Sequence, residues 1–268
     1  MKKATFDKIR TIVYNESGIN LGENKMALVC ARIMKRLRAL GLDSYEDYLS
    51  YLESEDPEGE MIQLLDVIST NTTQFFREPL HFEFFAEQLR KWHHAGQKRF
   101  RIWCAASSSG EEPYTLAMTM QEVLGHDREI DMRILATDIS TKILKEASAG
   151  QYAEKKMEGI PKSMLNKYFQ KEGMGDNASY KAKPNIRDMI TFRRLNLSTP
   201  PFPMKGPLDF IFCRNVMIYF DATTRSQLVN ATLPIVRPDG YFIIGHSESL
   251  TGITSGYKTV QPAVYTKN

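Results

Sequence analysis

The feature that most constrains the fold is a change of pattern near residue 99. From there onward, short apolar segments of strand length alternate with segments of helical period, beginning with Arg101–Ala105 and Glu112–Leu124. Such alternation is typical of βαβ units, which bury a parallel sheet between layers of helices. We therefore predict an α/β domain over residues 96–268, whose last two strands form an antiparallel hairpin at one edge of the sheet. The other predicted elements are Met132–Thr137, Thr141–Ala149, Leu208–Arg214, Ala222–Val236, Gly240–Gly245 and Ala263–Thr266.

Three regions depart from this alternation. Residues 1–69 carry apolar residues at helical spacing without a strand pattern, which predicts an all-helical N-terminal domain. Residues 70–95 begin as a polar linker and continue as a connecting helix that is rich in aromatic residues. Residues 151–195 combine strand-like stretches with the turn residues of Gly173–Asn177, which predicts a small antiparallel β-subdomain inserted into the α/β domain.

One helix of the N-terminal domain has an unusual distribution of charge. Over residues 24–40, an apolar face is opposed by basic residues that no acid interrupts. Exposed basic residues on a helix are most often only a solvated face, so the pattern alone assigns no partner. Gly41 is expected to end this helix, and Pro57 with Gly59 to interrupt the helices that follow, the last of which is Met61–Ile68. The basic residues are Lys25, Arg32, Lys35, Arg36 and Arg38.

Composition excludes several classes of protein. A net charge of +3 over 268 residues is too small to indicate a nucleic-acid partner. Cys30, Cys104 and Cys213 are far apart and lack metal-ligand spacing, so we predict no metal. The N-terminal residues MKKATFDKIR lack the apolar core of a signal peptide, and no apolar stretch approaches the roughly 20 residues of a membrane span. We expect a cytoplasmic protein without direct membrane insertion.

The loop after the first predicted strand is one candidate ligand site, because ligands of such sheets lie beyond the carboxyl ends of the strands. Its sequence, AASSSGEEPY, has a single glycine, Gly110, and lacks the GxGxxG pattern of a pyrophosphate loop. Glu111 and Glu112 disfavour a phosphate and suit a sulfonium or amino group, as in S-adenosylmethionine. A plain strand–turn–helix junction, with acids at the helix N-terminus, accounts for the loop equally well.

Two further strand ends carry polar residues. Asp138 follows the second strand, where a carboxylate can accept both ribose hydroxyls of a nucleoside. Alternatively, Asp138 or Ser140 caps the next helix. Arg214 and Asn215 follow the third strand, in a tetrapeptide, RNVM, that differs from the Asn/Asp-Pro-Pro-Tyr/Phe motif of methyltransferases acting on amide or exocyclic amino nitrogen. Adenine and glutamine are therefore disfavoured as acceptors.

The polar linker contains Asn71, Thr73 and Arg77. The asparagine and threonine side chains can hydrogen-bond to a ligand, and Arg77 can clamp a carboxylate with two parallel hydrogen bonds. Taken alone, however, the segment is better interpreted as a surface linker with a solvated arginine.

Together, these segments resemble the CheR family of chemotaxis receptor methyltransferases. The resemblance covers essentially the whole chain, and its pieces occur in the family's order. The longest and most specific pieces are NTTQFFRE (71–78) and DFIFCRNVMIYFD (209–221). The others are AASSSGEEPY (105–114), ATDIS (136–140), LNL (195–197) and GYFIIGHSE (240–248).

The resemblance implies a Rossmann-like, S-adenosylmethionine-dependent methyltransferase sheet. It implies transfer of a methyl group to glutamate side chains of chemoreceptors, which gives glutamyl methyl esters and S-adenosylhomocysteine. Arg77 and Tyr219 would face the acceptor glutamate, whereas the choice between Glu111 and Glu112 as a cofactor ligand stays open. The implied cofactor contacts are Asn71, Thr73 and Arg77 from the linker, Glu112 and Asp138 for the amino acid and ribose portions, Asn196 and Leu197 for the adenine, and Arg214 and Asn215 nearby.

The resemblance also implies partners. The basic residues of 24–40 would dock on the glutamate-rich cytoplasmic helices of chemoreceptors, because opposite charges steer association. The β-subdomain matches one that grips a receptor's C-terminal pentapeptide in some family members. We expect a monomer that is recruited to membrane receptor arrays and has no nucleic-acid partner.

A glutamate carboxylate is already a nucleophile at neutral pH, so neither a strong general base nor a metal is required. Catalysis would rest on positioning the reacting atoms in line. A methyltransferase for a small-molecule or nucleic-acid acceptor is disfavoured by the tetrapeptide and the net charge. A dinucleotide-dependent enzyme is disfavoured by the missing glycines. A non-catalytic S-adenosylmethionine-binding or receptor-docking module would be expected to lose Arg77 or Tyr219.

Overall fold

The computed structural model describes residues 1–54, 58–175, 178–253 and 255–267, apart from the side chain of residue 58. Its helices are α1 Lys3–Ser17, α2 Met26–Leu40, α3 Tyr45–Leu52, α4 Glu58–Ile68, α5 Leu80–His94, α6 Glu111–Leu124, α7 Thr141–Ala149, α8 Lys162–Tyr168, α9 Pro184–Arg187 and α10 Ala222–Thr232. Its strands are β1 Arg99–Cys104, β2 Asp131–Asp138, β3 Gln151–Ala153, β4 Phe169–Glu172, β5 Ser179–Ala182, β6 Ile190–Arg194, β7 Leu208–Cys213, β8 Val236–Ile244, β9 Tyr257–Gln261 and β10 Val264–Lys267.

The first four helices pack around a core of their own. Ile9 of α1 and Ile33 of α2 are fully buried there, because the helical period places them on inward faces. Gly41 ends α2 in the left-handed conformation, and the Ser44 hydroxyl caps α3 by accepting from the Asp47 N–H. The predicted interruption at Gly59 is wrong, since this glycine lies in the first turn of α4, where a helix tolerates it. Pro57 lies outside the described residues.

The predicted parallel α/β sheet is confirmed. It has seven strands in the order β6-β2-β1-β7-β8-β10-β9, and β10 runs in the direction opposite to the other six. The last two predicted strands do pair antiparallel, as β8 and β10, but β9 forms the edge of the sheet and went unpredicted. None of its five residues is buried, so it lacks the apolar signature of a strand. α10 ends at Thr232 rather than Val236 because Pro234 cannot donate to a helix.

The predicted β-subdomain is also confirmed, with one change of boundary. β3, β5 and β4 form a separate antiparallel three-stranded sheet between α7 and α9. β6, which was predicted to belong to this insertion, instead pairs in parallel with β2 at the edge of the large sheet. Its alternating polar pattern is that of an edge strand, which the sequence does not distinguish from a strand of the small sheet. Asp176 and Asn177 of the predicted turn lie outside the described residues.

The large sheet buries both faces. Along β7, Phe210 and Phe212 point to one face and Ile211 and Cys213 to the other, as the two-residue period of a strand requires. On the first face α5 packs directly on the sheet, with the Phe82 ring stacked on Phe212. α5 therefore belongs to the core of the larger domain and anchors the linker that precedes it. None of the helices in the described ranges is long and apolar enough to cross a membrane.

Candidate functional site

A cavity lies between the helical domain and the carboxyl ends of β1, β2 and β7. The α1–α2 loop, the polar linker and the strand ends form its walls, and we call it the interdomain cavity. All ten residues predicted to bind a cofactor or to catalyse line it, although their individual roles stay predictions. They are Asn71, Thr73, Arg77, Glu112, Asp138, Asn196, Leu197, Arg214, Asn215 and Tyr219.

Asp138 is held at the end of β2 by backbone donors. The N–H of Ser108, a residue with a φ of 47°, donates to its Oδ2 at 2.9 Å, and the N–H of Ser140 donates to its Oδ1 at 3.0 Å. Burial raises the pKa of Asp138, while these N–H bonds act in the opposite direction. The hydroxyl of Ser140, not Asp138, caps α7 by accepting from the N–H of Ile143. The alternative that Asp138 or Ser140 caps the helix is therefore confirmed for Ser140 and wrong for Asp138.

The two adjacent acids of the first loop have different environments. Glu111 is 1% exposed and turns away from the cavity, where it pairs with Lys156 Nζ at 2.6 Å and accepts from the Ser109 hydroxyl. Glu112 faces the cavity and accepts from Arg214 Nη1 at 2.5 Å. Successive helical residues differ by about 100° in direction, so only one of the two can point inward. Glu112 is the acid available to a ligand of the interdomain cavity.

Arg214 is the centre of a buried ion cluster. Its side chain is 1% exposed and lies between Glu112 and Glu78, whose Oε2 accepts from Arg214 Nη2 at 3.0 Å. The same Nη2 donates to the Arg77 carbonyl oxygen. Burial alone would raise the pKa of Glu78, but the charge of Arg214 and the hydrogen bonds from Arg214 and Asn215 hold it below its usual value. Arg214 thus fixes the backbone that carries Arg77.

Two carboxylates that shape the site were not predicted. Glu78 directly follows Arg77 but was not predicted as a site residue. Its partner, Arg214, lies 136 residues further along the chain, and a sequence pattern does not reveal such a pair. Glu248 accepts N–H donors from Asn215 at 2.9 Å and from Met217 and Gly245 at 2.7 Å, and so fixes the turn after β7. Burial raises its pKa against the effect of these N–H bonds. Glu78 lies in the segment 71–78 and Glu248 in the segment 240–248, both of which resemble the family. That resemblance is the sequence signal that could have identified these two acids.

The polar linker is not a plain surface connection. The Asn71 carbonyl oxygen accepts from the Ser108 hydroxyl at 3.1 Å, which ties the linker to the first loop. Arg77 is half-buried, and its Nη1 donates to the Thr72 carbonyl oxygen at 3.0 Å. Phe75 is buried in the sheet domain and holds the segment in place. Arg77 therefore projects into the cavity from an anchored strip of backbone.

Hydrogen bonds join the helical domain to the part of the interdomain cavity wall that contains Asn196 and Tyr219. Asn196 Nδ2 donates to the Glu16 carbonyl oxygen at 2.8 Å, and the Asn20 N–H donates to the Tyr219 carbonyl oxygen at 2.8 Å. The Asn196 side chain thus holds the two domains together. The buried Leu197 beside it offers an apolar surface on which a flat ring can pack. The half-buried Tyr219 side chain stays on the cavity wall.

The predicted basic surface of α2 needs a correction. Arg36 makes two hydrogen bonds to Glu60, at 2.9 and 2.6 Å, and this carboxylate is 6% exposed. Arg32 donates to the carbonyl oxygens of Ile68 and Ser69 at the end of α4. These two arginines join α2 to α4 and are not free to meet a partner. The acid that pairs with Arg36 comes from another helix, which the pattern within α2 cannot reveal.

The other three basic residues of this predicted surface remain accessible. Lys35 and Arg38 are exposed on α2. Lys25 is exposed as well, and it lies at the rim of the interdomain cavity. A reduced basic surface, made of Lys25, Lys35 and Arg38, is what this helix can offer to a partner.

Two family models match almost the whole chain. One is described as the CheR methyltransferase all-alpha domain and matches residues 4–69. The other is described as the CheR methyltransferase SAM binding domain and matches residues 71–266. The boundary between them falls where α4 ends and the polar linker begins.

Relatives that the chain matches over most of their length are named as chemotaxis protein methyltransferases. A chemotaxis protein methyltransferase of Borreliella burgdorferi is 39% identical, covering 99% of this chain and 95% of the relative. Chemotaxis protein methyltransferase 2 of Pseudomonas aeruginosa is 38% identical, covering 97% and 91%. A chemotaxis protein methyltransferase of Escherichia coli is 34% identical, covering 99% and 91%.

Proposed function

The chain belongs to the CheR methyltransferase family, and from that membership we propose that it methylates glutamate side chains of chemoreceptors. Its family, its S-adenosylmethionine-binding domain and its relatives make it an S-adenosylmethionine-dependent methyltransferase of chemotaxis. The proposal adds the acceptor, the product and the residues that act. The product is a glutamyl methyl ester, with S-adenosylhomocysteine as the second product.

The observation that carries the proposal is the joint placement of Arg77 and Tyr219 on the wall that also holds Glu112 and Asp138. A cation and a phenol beside nucleoside-binding acids suit an acceptor that is itself an anion. One carboxylate oxygen attacks the methyl carbon, the carbon–sulfur bond breaks, and its electron pair returns to sulfur. The acceptor is deprotonated at neutral pH, so the step needs no base. Arg77 and Tyr219 orient the carboxylate in line.

The other cavity residues bind different parts of the cofactor. Asp138 accepts the ribose hydroxyls, and Glu112 faces the positively charged amino group. Asn71 and Thr73 contact the cofactor from the linker, while Leu197 and the backbone of Asn196 flank the adenine. Arg214 and Asn215 lie near the cofactor and also shape the pocket, through their side-chain hydrogen bonds to Glu112 and Glu78.

The proposed acceptor is tested by the chemistry of the product. Purified protein is incubated with methyl-labelled S-adenosylmethionine and membranes that contain chemoreceptors. We expect label on the receptor that mild base releases as methanol, since a carboxyl ester hydrolyses and a methylated amine does not. Base-stable label would refute the ester. Tight cofactor binding without any transfer would favour the non-catalytic module instead.

Asp138→Asn should weaken S-adenosylmethionine binding by about 10- to 100-fold, because a hydrogen bond to a charged group contributes about 1.5–3 kcal/mol. Isothermal calorimetry measures the affinity. Asp131→Asn is the matched control, since Asp131 stands at the opposite end of the same strand and pairs with Arg101. An unchanged affinity in Asp138→Asn, or an equal loss in the control, would contradict the assignment to the ribose.

We also propose that the reduced basic surface of α2 docks on acidic receptor helices. Replacing Lys35 and Arg38 together by glutamate should slow receptor methylation about 10-fold at low salt, because a steering charge is reversed. Cofactor affinity should stay within about twofold, and the difference should shrink as salt screens the charges.

The control for this docking test is the double substitution of Lys142 and Lys145 by glutamate. Both lysines are exposed on α7, so the net charge changes by the same amount on another surface. Equal slowing in the two double variants, or a rate ratio that does not depend on salt, would argue against docking through α2.

A second docking surface is proposed on the β-subdomain. β4 is an edge strand of the three-stranded sheet, and Met174, just beyond it, is 90% exposed. An edge strand can pair with an extended peptide, so this strand suits a receptor's C-terminal pentapeptide.

A further inference from the structure

A second concavity lies on the other side of the buried ion cluster. Leu80, His81, Glu83 and His246 contribute to its wall, and none of them lines the interdomain cavity. Glu78 stands between the two, since its Oε2 accepts from Arg214 and lies 3.4 Å from His81 Nδ1. The concavity gives a small solute access to this edge of the cluster.

His81 is an unusual residue to find buried here. It is 1% exposed, and within the part of the chain that the structure describes neither ring nitrogen has a hydrogen-bond partner. The contact with Glu78 lacks the alignment of a hydrogen bond. A buried polar group left unsatisfied destabilises the fold, and native proteins rarely keep one without a use.

The donor atoms around His81 have the spacing of a metal site. One nitrogen of His81, one of His246 and a carboxylate oxygen of Glu78 all lie within 4.8 Å of one another, and the two imidazole rings are 4.6 Å apart. Two ligands at about 2.1 Å from a tetrahedral ion are about 3.4 Å from each other. The separation of His81 Nδ1 from Glu78 Oε2 matches that edge.

The charges of the cluster and the unpartnered imidazole also suit a cation. Glu78 and Glu112 carry two negative charges against the single positive charge of Arg214. His81 has no hydrogen-bond partner on either ring nitrogen among the described residues, so its imidazole can offer a lone pair to an ion. Glu78 Oε2 also accepts from the His246 backbone N–H, at 3.2 Å, and this long contact is the one that an ion would replace.

We propose that Glu78, His81 and His246 form a binding site for a divalent transition-metal ion of the zinc class. Two imidazoles and one carboxylate are ligands that zinc, cobalt and nickel share, whereas magnesium and calcium require a shell of oxygens. Three protein ligands leave a fourth position open toward the concavity. The site is distinct from the interdomain cavity and adjoins it through Glu78.

The test is metal binding by the full chain, purified without a histidine tag and stripped with a chelator. Calorimetric titration with zinc chloride should show about one ion per chain. Cobalt(II) should give the visible absorption of a tetrahedral site. His246→Ala should weaken zinc binding at least about 10-fold and abolish the cobalt spectrum, because it removes one of three ligands. His246 is exposed, so this variant is expected to fold.

His126→Ala is the matched control, because His126 and His93 form another histidine pair with rings 5.7 Å apart. It should leave zinc affinity and the cobalt spectrum unchanged. Absence of binding by the wild-type chain would overturn the proposal. So would binding that survives His246→Ala, or that is lost in His126→Ala instead.

Discussion

Arg77→Ala should lower the rate of methyl transfer on the order of 100-fold or more, with the fold intact. Arg77 is the cation on the cavity wall that can hold an acceptor carboxylate with two hydrogen bonds. Losing the group that holds the acceptor in line can cost on the order of 100-fold in rate. The structural cost should be small, because the hydrogen bond from the Arg77 side chain to the Thr72 carbonyl oxygen contributes about 1 kcal/mol. Transfer is measured by label incorporation under saturating cofactor.

Two further variants separate catalysis from structure. Arg77→Lys keeps the charge but loses the planar fork, so we expect it to recover only part of the rate. Arg90→Ala removes an exposed arginine of α5 that does not line the cavity, and it should leave kcat unchanged. Full activity in Arg77→Ala would remove this residue from the mechanism. A fall in melting temperature equal to that of a core substitution would assign it a structural role.

Arg214→Ala should lower the free energy of unfolding by about 3–5 kcal/mol, which is the typical cost of removing one partner from a buried ion pair. The substitution leaves Glu78 and Glu112 without the cation that they share. Their side chains are only 15% and 12% exposed, so water cannot replace that cation. It also removes the ring contact to Phe82, 5.4 Å from the guanidinium carbon. Urea unfolding followed by circular dichroism measures the change.

The pH dependence of this loss has a defined sign. In the wild type the pKa of Glu78 lies below its unfolded value, so its contribution to stability is present above that value and is lost as pH falls through the folded pKa. In Arg214→Ala, burial without the cation favours the protonated acid instead. The difference in unfolding free energy between wild type and variant should therefore be largest near neutral pH and narrow below about pH 5.

The controls for Arg214→Ala are also measured by urea unfolding followed by circular dichroism. Arg133→Ala removes a surface pair with Asp131, in which the arginine is 62% exposed, and should cost less than about 1 kcal/mol. The double variant Arg214→Met with Glu78→Gln should be more stable than Arg214→Met alone. The second substitution removes the buried negative charge that has lost its partner, and so recovers part of the free energy of unfolding. A gap between wild type and Arg214→Ala that does not change with pH would show that lost packing, not the buried acids, causes the loss.

The sequence predicted the sheet and the wall of the cavity better than the contacts inside it. Strand ends of a parallel sheet meet at one edge, so the strand pattern alone was enough to expect Asp138 and Arg214 at the same edge of the sheet. The choice between Glu111 and Glu112 required the rotation of α6 about its axis, which depends on packing against the β-subdomain. Glu78 could not be paired with Arg214, because only the folded chain brings residues so far apart in sequence into contact.

The errors have equally physical origins. Arg36 was expected to be free because the acids of α2 alone were considered, and Glu60 reaches it from α4. β9 was missed because an edge strand with no buried residue has no apolar alternation to detect. β6 was assigned to the wrong sheet because strand propensity does not specify a pairing partner. None of these errors concerns the type of a strongly patterned element.

The hydrogen bonds from Asn20 to Tyr219 and from Asn196 to Glu16 have an evolutionary consequence. Because both family domains contribute walls to one cavity, neither domain is an interchangeable module. Grafting the helical domain of a distant relative onto this sheet, to alter receptor choice, would also replace the loop that touches Tyr219. Such a graft is therefore expected to change cofactor affinity as well as receptor preference.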